Sequence, residues 1–332
     1  MCTMNDESYC PICDEIVKVE VLFFPRKESK CGNIVRCKNC SLVFVCPMPD
    51  DQLISQVYEG LYENKPMNVK QKIDWASRCI NEHIKKLKSL NCWPKYTFLD
   101  LAGGLGFHSK AAQLAGFNST LVDMDKKSIE FAKDTLCLKQ VNCSSIELFA
   151  LKFKGNQYDV IFLHHVIEHI KNPRALLEAI YSLLSDNGVL ILETPNNKSI
   201  EFLFKSNPRR FFMKYYKKNY KGVNFFSLLL KKTYAVRPPN HLYAFNIQNL
   251  KLLLKRYHLY LMETYFFTMG DPIYWPDNRN FKIPDAFNQL RQGNLKKFSL
   301  YISDSIFHPF RLFLQRKSKS AGLGIYAKRI KH

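Results

Sequence analysis

The segment FLDLAGGLGFHSKAAQL, residues 98–114, limits the fold more than any other stretch. An apolar run ending at Leu101 is followed by Gly103, Gly104 and Gly106, and then by a helix-like pattern. The whole chain has only 13 glycines in 332 residues, so this cluster calls for a physical reason. Glycines at a strand-to-helix turn let backbone approach a ligand or a neighbouring element closely. The next short strand, STLVDMD, ends in Asp123, 23 residues after Asp100. A carboxylate there can accept both ribose hydroxyls of a nucleoside. No GKS or GKT follows the glycines, which excludes a phosphate-gripping P-loop.

Downstream the alternation continues. YDVIFLHHV (158–166) reads as a buried strand turning polar at its end, and NPRALLEAIYSLL (172–184) as a helix. SDNG reads as a turn with Gly188 at the helix C-terminus, and VLILETPN (189–196) as the next buried strand. Alternating strands and helices predict an α/β, doubly wound, mostly parallel sheet with ligands at the carboxyl ends of its strands. GLGIYAKRI near the C-terminus is the expected final antiparallel strand.

The N-terminal region carries a second signal. Seven of the eleven cysteines fall in the first 46 residues, including CPIC (Cys10, Cys13) and CKNC (Cys37, Cys40). Two such pairs brought together make a closed tetrahedral thiolate site suited to structural Zn²⁺. Residues 1–48 therefore read as a small zinc ribbon whose stability comes largely from metal. Cys31 and Cys46 stand outside the pattern. Clustered cysteines of this kind fit a reducing compartment better than a disulfide framework. The polar N-terminus is no signal peptide, and no apolar run is long enough to span a bilayer. A cytoplasmic location is expected.

The net charge of +20 is uneven: residues 200–332 hold 25 Lys/Arg against 6 Asp/Glu. That asymmetry suggests an anionic partner, or simply a solvated basic surface. Residues 197–239 and 268–318 read as helical insertions on the substrate side, with aromatics interleaved among cations. Residues 204–234, where Phe211, Phe212, Tyr215, Tyr216, Phe225 and Phe226 are spaced among lysines, and residues 306–319 are expected to form a surface over the acceptor cleft facing an anionic membrane or other anion. The alternative is helices whose aromatic face packs inward.

Taken in order, LDLAGGLG, LVDMD, YDVIFLHHVIEHIKNP, LLSDNGVLILETPN and NHLYAFNIQNLKLLLKRY resemble the class I S-adenosylmethionine-dependent methyltransferases. They most resemble the branch with an N-terminal zinc ribbon, which includes sugar C-methyltransferases and polysaccharide and natural-product enzymes. The resemblance implies a seven-stranded Rossmann-like domain over 55–332 and S-adenosylmethionine as cofactor. It places Asp100, Ala102, Gly103, Gly104 and Gly106 along the methionine and ribose side. Asp123 would hold the ribose hydroxyls, with Met124 beside the adenine and Ser144, Ser145 or Ile146 at its edge. His164 and His165 would face the cofactor. Ala102 replaces the first loop glycine of the family and is expected to keep a negative φ.

HVIEH (165–169) matches a zinc-peptidase pattern, but it straddles a strand end rather than a helix. Ubiquinone-pathway O-methyltransferases resemble this region and carry glutamate in place of His165. That likeness raises a divalent-cation site at His165, Glu168 and His169, against a structural role for Glu168 and His169. His241, in RPPNHLYAF, is the candidate general base, its ordinary pKa lying near 6.5. The related C-methyltransferases have a Glu-His pair where this chain has Asn240, which favours O-methylation. The expected acceptor is a hydroxyl of a small molecule or glycan, including a nucleotide- or lipid-linked sugar. RNA methylation and sugar C-methylation are the alternatives, nucleic acid being the less favoured partner. Peripheral membrane contact is a further partner that the basic insertions allow.

Overall fold

The computed structural model describes residues 7–58, 67–92, 96–155, 157–201, 206–231, 233, 235–267, 287, 290–295, 313, 317 and 319–330. The insertion expected at 268–318 lies almost wholly outside them, as does most of the basic stretch 306–319.

The chain opens with four antiparallel strands, β1 (Glu7–Cys10), β2 (Glu15–Phe23), β3 (Asn33–Cys37) and β4 (Val43–Cys46). Helices α1 (Asp51–Tyr58) and α2 (Val69–Ser89) follow. The sequence pattern after CPMPDD predicts one polar helix, around Tyr58; the longer α2 was not anticipated. Its signal was the N-cap Asn68 and a stripe of Ala76, Cys79, Ile80, His83 and Leu87 at helical spacing. That stripe packs with Phe98, Ala111, Ala112 and Phe162.

The main domain then alternates as predicted. It runs β5 (Thr97–Leu101), α3 (Phe107–Leu114), β6 (Asn118–Asp123), α4 (Lys126–Asp134), β7 (Gln140–Cys143), α5 (Ile146–Lys152) and β8 (Tyr158–His164). It continues with α6 (Pro173–Leu183), β9 (Leu184–Pro195), α7 (Ser206–Asn219) and α8 (Phe225–Lys231). The last elements are β10 (Tyr243–Ala244), α9 (Ile247–Arg256), β11 (Leu259–Phe267) and β12 (Gly322–Arg329). Seven strands form one sheet in the order β11-β12-β9-β8-β5-β6-β7. The pairs from β9 to β7 are parallel, and β12 runs antiparallel to both β9 and β11. The carboxyl ends of β5, β6 and β8 therefore share one edge, which is where ligands bind in such sheets.

One turn differs from expectation. Helix α6, capped by Asn172 with Pro173 in its first turn, passes into β9 through extended Leu184. Gly188 is not a left-handed helix cap. It lies inside β9, where a Cβ would fall 2.7 Å from the Tyr158 carbonyl oxygen, next to the register shift between Tyr158 and Val160. Close backbone approach, not helix termination, demands that glycine.

The N-terminal sheet is not a free-standing unit. Strand β10 extends it, pairing Tyr243 with Phe44 and Ala244 with Val43. Leu242, fully buried, joins the two parts: its carbonyl accepts from Val45 N at 3.1 Å and its N–H donates to Glu168 O at 2.8 Å. The aromatic insertion corrects the expected outward surface. Phe212, Tyr216, Tyr220 and Leu228 are buried against Leu22, Phe23, Ile34 and Val43 of the N-terminal sheet. The Tyr216 hydroxyl donates to the carbonyls of Thr233 and Val236. Burying a large aromatic gains roughly 2–3 kcal/mol, more than an exposed position offers, so these rings hold the insertion down. Phe211 and Phe226 remain exposed.

Candidate active site

The glycine turn serves the protein's own packing as well as any ligand. Asp100, 1% exposed, accepts from Ser109 N (3.1 Å) and Ser109 Oγ (2.9 Å) through Oδ2. Burial pushes its carboxyl up to about 7. A Cβ on Gly103 would lie 2.4 Å from Asp100 Cγ, so only glycine fits there. Gly104 and Gly106 adopt φ of 56° and 80°. Ala102 does too, at 52°, against the expected negative φ. The carboxyl end of β5 turns too sharply for extended backbone, and alanine is held in a region costing L-residues about 1–2 kcal/mol.

Asp123, at the end of β6, binds the loop to its own strand: Oδ2 accepts from Gly104 N at 2.7 Å and Oδ1 from Asp125 N at 2.9 Å. Each oxygen keeps a lone pair for a ribose hydroxyl. Burial raises its pKa, and the backbone bonds oppose that. Met124 is exposed beside it. Ser144 N donates to Asp123 O at 3.0 Å, while Ser145 Oγ caps α5 by accepting from Leu148 N at 3.3 Å. Ile146 is buried, so the edge of a base would meet Met124 and the Ser144 region.

Two histidine–carboxylate pairs stand back to back at the end of β8. His164 Nδ1 lies 2.5 Å from Glu193 Oε2, and His165 Nδ1 lies 2.9 Å from Glu168 Oε1. The rings of His164 and His165 are 4.5 Å apart, edge to face. His164 ends β8 and the left-handed turn at His165 redirects the next side chain, so each histidine meets a different fully buried glutamate. Glu193 also accepts from Tyr265 OH at 2.6 Å, and His83 Nε2 lies 3.5 Å from it. His83 Nδ1 is in turn 2.8 Å from Tyr326 OH. Trp75 of α2 and His108 of α3 pack on His164, with centroids 5.9 and 4.9 Å away. The sequence reading missed Glu193, Trp75, His83, Tyr265 and Tyr326. The available signal was a charged residue inside the apolar run VLILET.

The two pairs differ electrically. Burial lowers the pKa of His164, and Glu193 only partly offsets this. For His165, burial is outweighed by the hydrogen bond and charge of Glu168, and the pKa is raised above 6.5. Burial alone would raise Glu168, but the His165 bond and the neighbouring histidines hold it at about 2. An ionised carboxylate can only accept, so His165 Nδ1 carries the proton and Nε2 is left with a lone pair. The backbone of His165 is left-handed, φ 56°, and its side chain is 36% exposed at the strand end. A strained, partly exposed base candidate at a strand end matches where functional strain concentrates.

His241 sits differently from the expectation. It is 9% exposed; its Nδ1 lies 3.1 Å from Ala235 O, and its Nε2 lies 2.8 Å from Arg237 Nη2. Both nitrogens are engaged, and burial followed by the charge of Arg237 holds its pKa well below 6.5. It therefore presents no free lone pair for a substrate proton in this arrangement. Glu168, His169 and His241 do offer ligand atoms within 4.8 Å of one another. The guanidinium on His241 Nε2 already occupies the lone pair that a cation would need, and the His169–Asn240 O bond of 3.0 Å fixes the other ring.

In the N-terminal sheet, Cys10, Cys13, Cys37 and Cys40 converge, with ligand atoms within 4.8 Å of one another. Cys10 and Cys40 Sγ lie 3.6 Å apart, Cys13 and Cys37 3.7 Å. Tetrahedral Zn–S bonds of about 2.3 Å would separate sulfurs by about 3.8 Å. Cys40 N donates to Cys37 Sγ at 3.3 Å, the kind of bond that orients a thiolate ligand.

A sheet of this order, with a glycine turn after β5, an acid ending β6 and polar groups ending β8, defines a class I S-adenosylmethionine-dependent methyltransferase domain. The family described as "Methyltransferase domain" matches residues 60–264, and the chain belongs to it. Among curated proteins it is similar to the mitochondrial ubiquinone biosynthesis O-methyltransferase of Schizosaccharomyces pombe. The two are 31% identical over 108 residues, covering 31% of this chain and 39% of that protein. The Psychrobacter arcticus ubiquinone biosynthesis O-methyltransferase is 29% identical over 115 residues, covering 32% and 43%. The chain thus spans about two-fifths of the length of these relatives. Among solved structures it is similar to a SAM-dependent methyltransferase from Archaeoglobus fulgidus, at 16% identity and TM-score 0.44, covering 83% of this chain and 99% of that one. The plantazolicin methyltransferase BamL, solved with SAH, is 17% identical at TM-score 0.44, covering 85% and 92%. Among the described residues no helix is long and apolar enough to cross a membrane.

Proposed function

We propose that the protein transfers the methyl group of S-adenosylmethionine to a hydroxyl of a small-molecule acceptor, with His165 as the general base. The observation that carries this is the His165–Glu168 pair, with Nε2 of His165 left unbonded among the described residues. When bound, S-adenosylmethionine supplies an electrophilic methyl on a sulfonium. The loop from Ala102 to Gly106 and Asp123 would hold its ribose and methionine parts. Met124 and Ser144 would border the adenine. Alignment of the acceptor oxygen with the methyl carbon provides much of the rate enhancement. As the O–C bond forms and the C–S bond breaks, the hydroxyl proton passes to His165 Nε2, and Glu168 stabilises the imidazolium. The O-methyltransferase names of the curated relatives support a hydroxyl acceptor.

Whether that acceptor is a glycan or a nucleotide- or lipid-linked sugar is a finer reading of the same site. The exposed Phe211 and Phe226, with the exposed lysines and arginines of α7, support weak contact with an anionic membrane. The four cysteines would hold one structural Zn²⁺, since four thiolates leave no open position for catalysis.

Calorimetry with S-adenosylmethionine tests the donor, and a labelled methyl donor offered to extracted small molecules, glycans and total RNA tests the acceptor. Label in RNA alone would overturn the hydroxyl small-molecule reading. No saturable cofactor binding would overturn the activity itself.

A further inference from the structure

Arg237 has no anion in direct contact among the described residues. Its guanidinium is largely withdrawn from water, and burial depresses even its high pKa. Among the described residues no carboxylate lies within 4 Å of it. Its side-chain contacts are His241 Nε2, 2.8 Å from Nη2, and the faces of Phe211 and Phe212 at 5.4 and 5.7 Å. Its Nε is buried with no hydrogen-bond partner. The nearest acid on its side of the domain, Glu168, is already bonded to His165 and Thr194.

A buried charge left uncompensated is costly, and folds rarely keep one that nothing offsets. The position is also held firmly. Arg237 and His241 exchange backbone hydrogen bonds at 2.9 and 3.0 Å, and Tyr215 OH donates to the neighbouring Pro238 carbonyl. Arg237 ends a run of touching side chains that begins at the proposed base. His165 meets Glu168, Glu168 lies 3.9 Å from His169, the His169 and His241 rings are 4.6 Å apart, and His241 meets Arg237. Arg237 is thus tied to the proposed base through packed side chains, on the same side of the domain.

We infer that Arg237 receives an oxyanion, carboxylate or phosphate, carried by the methyl acceptor. The planar fork of guanidinium donors suits either group, and Nε supplies a donor that no described residue uses. The inference rests on the methyltransferase reading and narrows its acceptor to anionic hydroxyl compounds.

The test uses the full chain, with and without SAH, and three probes: benzoate, inorganic phosphate and neutral benzamide. Calorimetry should show saturable binding of benzoate or phosphate and none of benzamide. Which anion binds tells carboxylate from phosphate. In Arg237→Gln that affinity should fall at least tenfold, while thermal stability in anion-free buffer stays equal or rises, because an uncompensated buried charge has been removed. Arg237→Lys, which keeps the charge but not the fork, should also lose affinity, and it serves if the glutamine variant fails to fold. Equal anion affinity in the wild type and the variants would overturn the inference, as would no saturable binding of either anion. A lowered melting temperature with unchanged anion binding would make Arg237 a purely structural residue. SAH affinity, read separately, shows whether the cofactor reading stands when the anion reading falls.

Discussion

His165 Nδ1 and Glu168 Oε1 are 2.9 Å apart, across a turn that begins with His165 in a left-handed conformation. The carboxylate is buried and ionised, and the imidazole beside it has a raised pKa. A base in this setting works only when neutral. Activity should therefore rise with pH through a midpoint above 6.5. Glu168→Gln removes the charge that favours imidazolium, so the acidic limb should move to lower pH while kcat falls. His165→Ala should lower kcat by roughly 10²–10⁴-fold with cofactor affinity nearly unchanged. Full turnover of His165→Ala on an identified acceptor would remove it from the mechanism.

Asp123 ties Gly104 and Asp125 together and keeps further lone pairs, which the proposed function gives to the ribose. Asp123→Ala should weaken S-adenosylmethionine binding by roughly 1.5–3 kcal/mol, the usual loss for hydrogen bonds to a charged group. Calorimetry with equal affinities for variant and wild type would place the ribose elsewhere.

Ala102 sits at φ 52° beside a turn otherwise built of glycines. Ala102→Gly relieves that strain but adds freedom to the unfolded chain. The net gain should be about 0.5–1 kcal/mol of stability. Denaturant unfolding measures it directly. A loss of stability would mean that the methyl group's packing outweighs the strain.

Asp100 has a folded-state pKa of about 7 against an ordinary 3.8, so the folded protein binds its proton more tightly than the unfolded chain. The contribution is present at low pH and is lost as pH rises between roughly 4 and 7. Its ceiling is about 4 kcal/mol. Asp100→Asn should flatten the melting-temperature profile across that window. An unaltered slope would show that another group sets it.

The four-cysteine cluster should bind one Zn²⁺ per chain, measurable by elemental analysis. Cys10→Ser should destabilise the N-terminal sheet. Because Leu242 bonds both Val45 and Glu168, metal loss should also speed amide exchange at Leu242 and Val45. Protection of those amides unchanged after chelation would show that the two parts hold independently.

Much of this molecule is written in local pattern. The strand–helix alternation, the glycine turn, Asp123 at the end of β6 and the spacing of Cys10, Cys13, Cys37 and Cys40 all follow from neighbours a few residues apart, where backbone sterics and side-chain periodicity act. Tertiary structure decided the rest. Glu193 reaches His164 only because β8 and β9 are adjacent and in register. His241 loses its free lone pair only because Arg237, four residues earlier, folds back onto it. Phe212 and Tyr216 turn inward because the N-terminal sheet, nearly two hundred residues away in sequence, supplies an apolar face. Ala102 takes a positive φ because packing around the sharp turn after β5 overrides its local preference. The contacts of Glu193, Phe212 and Tyr216 depend on which distant surfaces meet, and no periodicity within one segment encodes that.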